Sequence, residues 1–179
     1  MGVFMTKIIV CGAVGRMGSR IIALSKEYSN LKLVGAVEKK GHEQVGKDIG
    51  LLLGTGERGV TLSDNLESII DKGDVVIDFT SISSTLSHVK IAKSYNKAMV
   101  IGTTGFSKEE LEPINEASKN IPIVLAPNMS VGVNLLLKVL KDIAVVLADE
   151  YDIEIIEAHH RLKKDAPSGT AMKMAQVIA

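Results

Sequence analysis

The chain has 179 residues, of which 46% are hydrophobic and only 3% aromatic, with no tryptophan. Lysine plus arginine and aspartate plus glutamate both number 21, so the formal charge is zero and no long-range field recruits nucleic acid or an anionic membrane surface. No apolar run reaches the roughly 18–20 residues of a membrane span, Met1–Thr6 is too short for a signal peptide, and the lone Cys11 cannot form an internal disulfide. A soluble cytoplasmic protein with an aliphatic core is expected.

Lys7–Cys11 is a short apolar run that stops at Gly12, the spacing from Met17 to Glu27 is helical, and Leu31–Val37 reads as a second strand. That is a β-α-β unit. Residues 41–59 hold six glycines and no firm period, with Val60–Leu62 as a weak short strand. Ser63 is placed to cap a helix running to about Asp71. Asp74–Phe79 reads as a buried strand, Ser83–Tyr95 as a helix, Ala98–Ile101 as a strand, Lys108–Lys119 as a helix and Ile121–Ala126 as a strand. A long aliphatic helix follows from Ser130 to Leu147, then an alternating strand-like run, Tyr151–Glu157, and a helix opening near Ser168. Strands and helices alternating at these lengths imply an α/β fold, a Rossmann-like doubly wound parallel sheet.

Gly12-Ala13-Val14-Gly15-Arg16-Met17-Gly18 lies in the first strand-to-helix turn. Small residues there let backbone approach a pyrophosphate, and a helix start offers free N–H groups to an anion. Glu38 ends the second strand, where a carboxylate can accept hydrogen bonds from both hydroxyls of an adenine ribose. Lys39 and Lys40 follow it and could pair with a 2′-phosphate, so NADH and NADPH are both admitted as cofactors. Gly102-Thr103-Thr104-Gly105 and Ala126-Pro127-Asn128-Met129 follow two other strands, at the sheet edge that faces a ligand crevice. Their hydroxyls, amide and backbone groups suit a nicotinamide carboxamide.

The densest chemistry lies in Glu157–Ala171, on the connection from the strand-like run into the last helix. Lys163 offers three donors and a charge, while Ser168, Gly169 and Thr170 offer hydroxyls and helix-start amides; such a set binds carboxylates. His159 or His160 can move a proton near neutral pH, and on extended chain only one of them faces a given ligand group. No metal is expected, because neighbouring histidines rarely share one and no third ligand stands at suitable spacing. His42 and His88 read as incidental surface residues, and Asp165 as either a capping or a catalytic group.

These motifs, together with Val76–Thr80 and Asn128–Asn134, resemble those of the 4-hydroxy-tetrahydrodipicolinate reductase (dihydrodipicolinate reductase) family, from residue 7 to the end of the chain. The resemblance implies NAD(P)H-dependent reduction of a cyclic dicarboxylate imine to tetrahydrodipicolinate, in lysine and diaminopimelate biosynthesis in the cytoplasm. It implies that His159 is the proton donor and acceptor, that Lys163 is the proton donor, and that His160, Gly169 and Thr170 bind the substrate carboxylates. Gly12 to Met17, Glu38, Gly102 to Thr104 and Ala126 to Met129 would hold the cofactor. Lys39 stands where the family commonly has arginine, which leaves the choice between NADH and NADPH open. Family members are longer and assemble as homotetramers. Residues 1–127 are therefore expected to form the dinucleotide domain, and 128–179 the beginning of an incomplete α+β substrate-binding and oligomerisation domain. A different class of function, a dinucleotide-binding module without turnover, is the alternative. A semialdehyde dehydrogenase is set aside, because that chemistry needs a cysteine nucleophile and Cys11 is wedged against the phosphate loop.

Overall fold

The computed structural model describes residues 4–147, 150–161, 163 and 166–179. The chain divides into two compact units, Met1–Leu125 and Ala126–Ala179.

The first unit is built around β1, Thr6–Cys11. Successive strand residues face opposite sides of a sheet, and β1 is apolar on both. Ile8 and Val10 enter one core with Ile22, Leu33, Ile49 and Leu62, while Ile9 and Cys11 enter another with Val76, Val89, Met99 and Ile114. Full burial of each such aliphatic side chain contributes about 1.5–3 kcal/mol. A strand buried on both faces is committed to the middle of a sheet, and β1 sits there. The remaining strands are β2 (Leu31–Val37), β3 (Leu62–Ser63), β4 (Val75–Asp78), β5 (Ala98–Ile101) and β6 (Ile123–Leu125). They form one six-stranded sheet in the order β3-β2-β1-β4-β5-β6, with every neighbouring pair parallel.

Helices α1 (Arg16–Leu24), α2 (Ile49–Leu52), α3 (Ile82–Ser94) and α4 (Lys108–Ser118) connect these strands. Ile22 carries α1 onto one face, and Val89 and Ile114 carry α3 and α4 onto the other. The chain runs outward to β2 and β3 on one side of β1, and to β4, β5 and β6 on the other. The turns after β1 and β4 therefore diverge and leave a crevice at the carboxyl ends of the strands, the Rossmann arrangement.

Two local expectations fail. No α-helix runs from Ser63 to Asp71: Ser63 pairs with Val37 as the end of β3, and only a 3-10 turn, Ile70–Lys72, follows. The Ser63 hydroxyl accepts from the N–H of Asn65 at 3.1 Å, closing a turn with the same group that would cap a helix. In the second unit, Tyr151–Glu157 forms no strand. Its alternation is a genuine strand signal, but among the described residues no neighbouring strand supplies a ladder, and Ile156 is 90% exposed. In that unit α5 (Val131–Leu147) packs on α6 (Gly169–Ile178). No described helix is long and apolar enough to cross a membrane.

Candidate functional site

The turn after β1 is shaped by close backbone approach. Gly12 has φ +73°, and a Cβ there would meet the Phe79 carbonyl oxygen at 2.9 Å. A Cβ on Gly18 would lie 2.0 Å from the carbonyl oxygen of Gly12, so α1 can begin beside the turn only because that side chain is missing. Gly15 caps α1 without contributing a side-chain oxygen, and the first turn of the helix carries no acidic residue. The positive end of the helix is thus open to an anion. Across the turn, Glu38 Oε1 accepts from the N–H of Val14 at 3.1 Å and Oε2 from the N–H of Lys39 at 3.1 Å. Those two bonds fix the carboxylate at the crevice rim and leave it further lone pairs.

Gly12, Gly15, Glu38, Lys39 and Lys40 share a crevice of about 580 Å³ with Thr80 and His88. A neighbouring crevice of about 390 Å³ is lined by Arg16, Met17, Thr80 and Gly102–Thr104. The structure therefore gathers most of the residues expected to hold a cofactor around adjoining openings of one unit. Cys11, fully buried beneath the turn, has its thiol pKa pushed up by burial first and by the charges of Asp78 and Glu38 second, so it stays protonated and behaves as a small hydrophobe.

His88 is not an incidental surface residue. Its Nδ1 lies 2.5 Å from Oδ2 of Asp78, a carboxylate with no exposed surface. Nothing in the local sequence marks either member of this pair as functional. The available signal was the aspartate itself, since a carboxylate closing the apolar run Val75–Asp78 must find donors when that run is buried.

The second unit holds the other candidates. Glu157 Oε2 pairs with His159 Nε2 at 2.8 Å, and Glu157 Oε1 accepts from the N–H of Ser168 at 2.9 Å. Ser168 in turn caps α6, its hydroxyl accepting from the N–H of Ala171 at 3.1 Å. One carboxylate thus ties the His159 ring to the helix start that carries Gly169 and Thr170. The Asn128 amide donates to Thr170 Oγ1 at 3.5 Å and accepts from the N–H of Ser130 at 2.9 Å, which places Ala126–Met129 beside the same helix start. The N–H of Lys163 donates to the carbonyl of His160 at 3.1 Å, closing a turn in the loop between them. Asp165 lies outside the described residues.

Glu157 is held at a pKa of about 2, first by its hydrogen bond with the Ser168 side chain, then by His159 and the Ser168 N–H. Its folded value is depressed, so this contact stabilises the loop fully above the ordinary glutamate value near 4.5 and is lost as pH falls toward 2. The Ser168 amide resonance should follow that titration with a midpoint near 2; a midpoint near 4.5 would show that Glu157 is not engaged.

Two family models cover this chain: Dihydrodipicolinate reductase, N-terminus, matches residues 6–129, and Dihydrodipicolinate reductase, C-terminus, matches residues 132–179. Over 175 residues the chain is 54% identical to the 4-hydroxy-tetrahydrodipicolinate reductase of Syntrophus aciditrophicus, a match covering 98% of this chain and 65% of that protein. It is 50% identical over 175 residues to the enzyme of the same name from Geobacter sp. strain M21, covering 98% of this chain and 66% of that one. Among solved structures it resembles dipicolinate-bound dihydrodipicolinate reductase from Paenisporosarcina sp. TG-14, with TM-score 0.76, 32% identity, and coverage of 98% of this chain and 66% of that one. The chain thus spans about two thirds of the length of the curated relatives it matches. With both family models matching, together over nearly the whole chain, and with relatives about half identical to it, the chain belongs to the dihydrodipicolinate reductase family.

Proposed function

We propose that this chain carries the reductase chemistry for which its relatives are named, taking NADH or NADPH as hydride source and a cyclic dicarboxylate imine as acceptor. The reading assigns residues 1–127 to the dinucleotide and 128–179 to the substrate, in a protein whose whole form is a cytoplasmic homotetramer. The observation that carries it is Glu157, which ties the His159 imidazole to the start of α6 in a chain that also has a phosphate-type turn.

The first unit fits a dinucleotide because its turn excludes Cβ atoms at Gly12 and Gly18 and leaves the α1 amides without an acidic neighbour. A bound reduced nicotinamide supplies the hydride. The protein's own residues do the rest. Gly12 to Met17 hold the pyrophosphate, Glu38 the ribose hydroxyls, and Lys39 either lies idle or meets a 2′-phosphate. Gly102 to Thr104, with Ala126, Pro127, Asn128 and Met129, orient the carboxamide. His160, Ser168, Gly169 and Thr170 hold substrate carboxylates, using the positive end of α6. His159, oriented by Glu157, would exchange a proton with the ring as its hydroxyl leaves as water, and Lys163 would donate the one proton that balances the hydride.

Because the chain spans about two thirds of its relatives, a second reading is binding without turnover. A fluorescence titration with NADH, run beside NADH oxidation in the presence of freshly generated hydroxy-tetrahydrodipicolinate, separates the two. Saturable binding with turnover is the expected result. Binding without turnover would favour the second reading, and absence of NADH binding would overturn both.

A further inference from the structure

Asp78 is the last residue of β4 and has no exposed surface. A buried carboxylate is stable only when its lone pairs are met by donors. Here they are met from three separate segments. Oδ1 accepts from the Thr80 N–H at 3.0 Å and the Thr80 hydroxyl at 2.7 Å, both in the turn after β4. It accepts from the Thr85 hydroxyl of α3 at 3.0 Å, and the Thr103 hydroxyl in the turn after β5, 3.4 Å away, has either this oxygen or Thr85 Oγ1 as its acceptor. Oδ2 takes His88, one turn further along α3.

The donors are also joined to one another. The hydroxyls of Thr85 and Thr103 lie 2.9 Å apart, and the Thr80 N–H has a second acceptor in Thr103 Oγ1 at 3.2 Å. Thr85 is fully buried and lines neither crevice, whereas the two turns it connects to Asp78 line the larger and the smaller opening. Gly102 packs so closely on the Phe79 ring that a Cβ would sit 2.0 Å from it, so the two turns are in contact. Cys11 brings its sulfur into the same cluster, the donor atoms of Cys11, Asp78 and His88 lying within 4.8 Å of one another. Both Asp78 oxygens already have hydrogen-bond partners there, which favours a positioning network over a cation site.

We infer that Asp78, acting through Thr85 and Thr103, is the positioning residue of the dinucleotide crevice: it fixes the turns Phe79–Ser81 and Gly102–Thr104 in one register before ligand arrives. The inference rests on the dinucleotide reading proposed above, and adds Asp78 and Thr85, which line neither crevice. Preorganised walls cost less ordering on binding, so loosening them weakens affinity without removing any contact.

Thr85→Val keeps the shape of the side chain and deletes its hydroxyl, leaving Asp78 one donor short and Thr103 without its partner. Amide exchange at Thr80 in the ligand-free chain should accelerate about tenfold and NADH affinity fall about tenfold, the scale of one buried hydrogen bond lost. Thr85→Ser should restore both to within about twofold, which a purely packing role for the methyl group would not allow. Unchanged exchange at Thr80, unchanged affinity, or a serine variant behaving like the valine one would overturn the inference. Should Thr85→Val not fold, Thr103→Val removes an acceptor of the Thr80 N–H, and amide exchange at Thr80 in the ligand-free chain is then the deciding readout, unchanged exchange overturning the inference. Failure of the wild type itself to bind NADH would overturn the dinucleotide reading and this inference's ligand, while exchange at Thr80 would still decide whether the network holds the turn.

Discussion

Gly18→Ala is expected to weaken NADH binding by about 10–100-fold and to destabilise the first unit by about 1–3 kcal/mol. The new methyl would lie 2.0 Å from the carbonyl oxygen of Gly12, 2.7 Å from its carbonyl carbon and 3.0 Å from the Cα of Ala13. All three are backbone atoms at the end of a strand buried on both faces, so they cannot rotate away as a side-chain tip could. The methyl is accommodated only if α1 lifts off the turn, and that helix start is the anion site. Stability and affinity should therefore fall together. Gly132→Ala is the matching control: a Cβ there would lie 3.8 Å from the Ser130 hydroxyl, an ordinary contact, and the residue lies within α5. There the same chemical change should stabilise by about 0.4–1 kcal/mol, through reduced freedom of the unfolded chain. Urea denaturation and an NADH titration on both variants check the pair. A Gly18→Ala protein with wild-type affinity would show that the turn does not hold the pyrophosphate.

What could be read from the sequence was set by how local its cause is. Ala98–Ile101 is a short apolar run between a helix and a glycine, and it forms β5 with those bounds. The glycine turn was legible because a strand, small residues and a helix start follow one another along the chain, and no distant partner decides their shape. Ser63 is ambiguous in sequence because a serine hydroxyl beside backbone N–H groups serves a helix cap or a turn equally well. The choice fell to the pairing of Ser63 with Val37, on a strand far earlier in the chain. Tyr151–Glu157 failed for the converse reason: alternation gives a strand two faces but cannot supply its neighbour. His88 shows the same dependence at a site. A histidine on a helix carries no mark of what it faces, and only β4, set against α3 by the sheet, brings Asp78 to it. Lys39, by contrast, was read where it stands, beside Glu38 and on the crevice wall, because adjacency in sequence is itself proximity.

At Lys163 the expected loss is in turnover alone. Lys163→Ala should lower kcat by about 10²–10⁴-fold, the usual worth of a positioned proton donor, with NADH affinity changed by less than about twofold. The residue lies in the second unit, in a turn closed on the carbonyl of His160, while the dinucleotide residues of the first unit lie on other segments. Lys163→Arg distinguishes two ways in which an ammonium could serve. Arginine keeps the positive charge and gains donors, but it does not give up a proton at any ordinary pH. If Lys163 only attracts a substrate carboxylate, arginine should recover most of the rate and affinity for dipicolinate, a planar dicarboxylate probe. If Lys163 delivers the proton that completes the reduced ring, arginine should recover dipicolinate affinity while kcat stays near that of the alanine variant. The second pattern is expected, because the proposed reading gives the substrate carboxylates other partners, His160, Ser168, Gly169 and Thr170, without the lysine. Equal losses of NADH affinity and turnover in Lys163→Ala would remove the proton-donor role altogether.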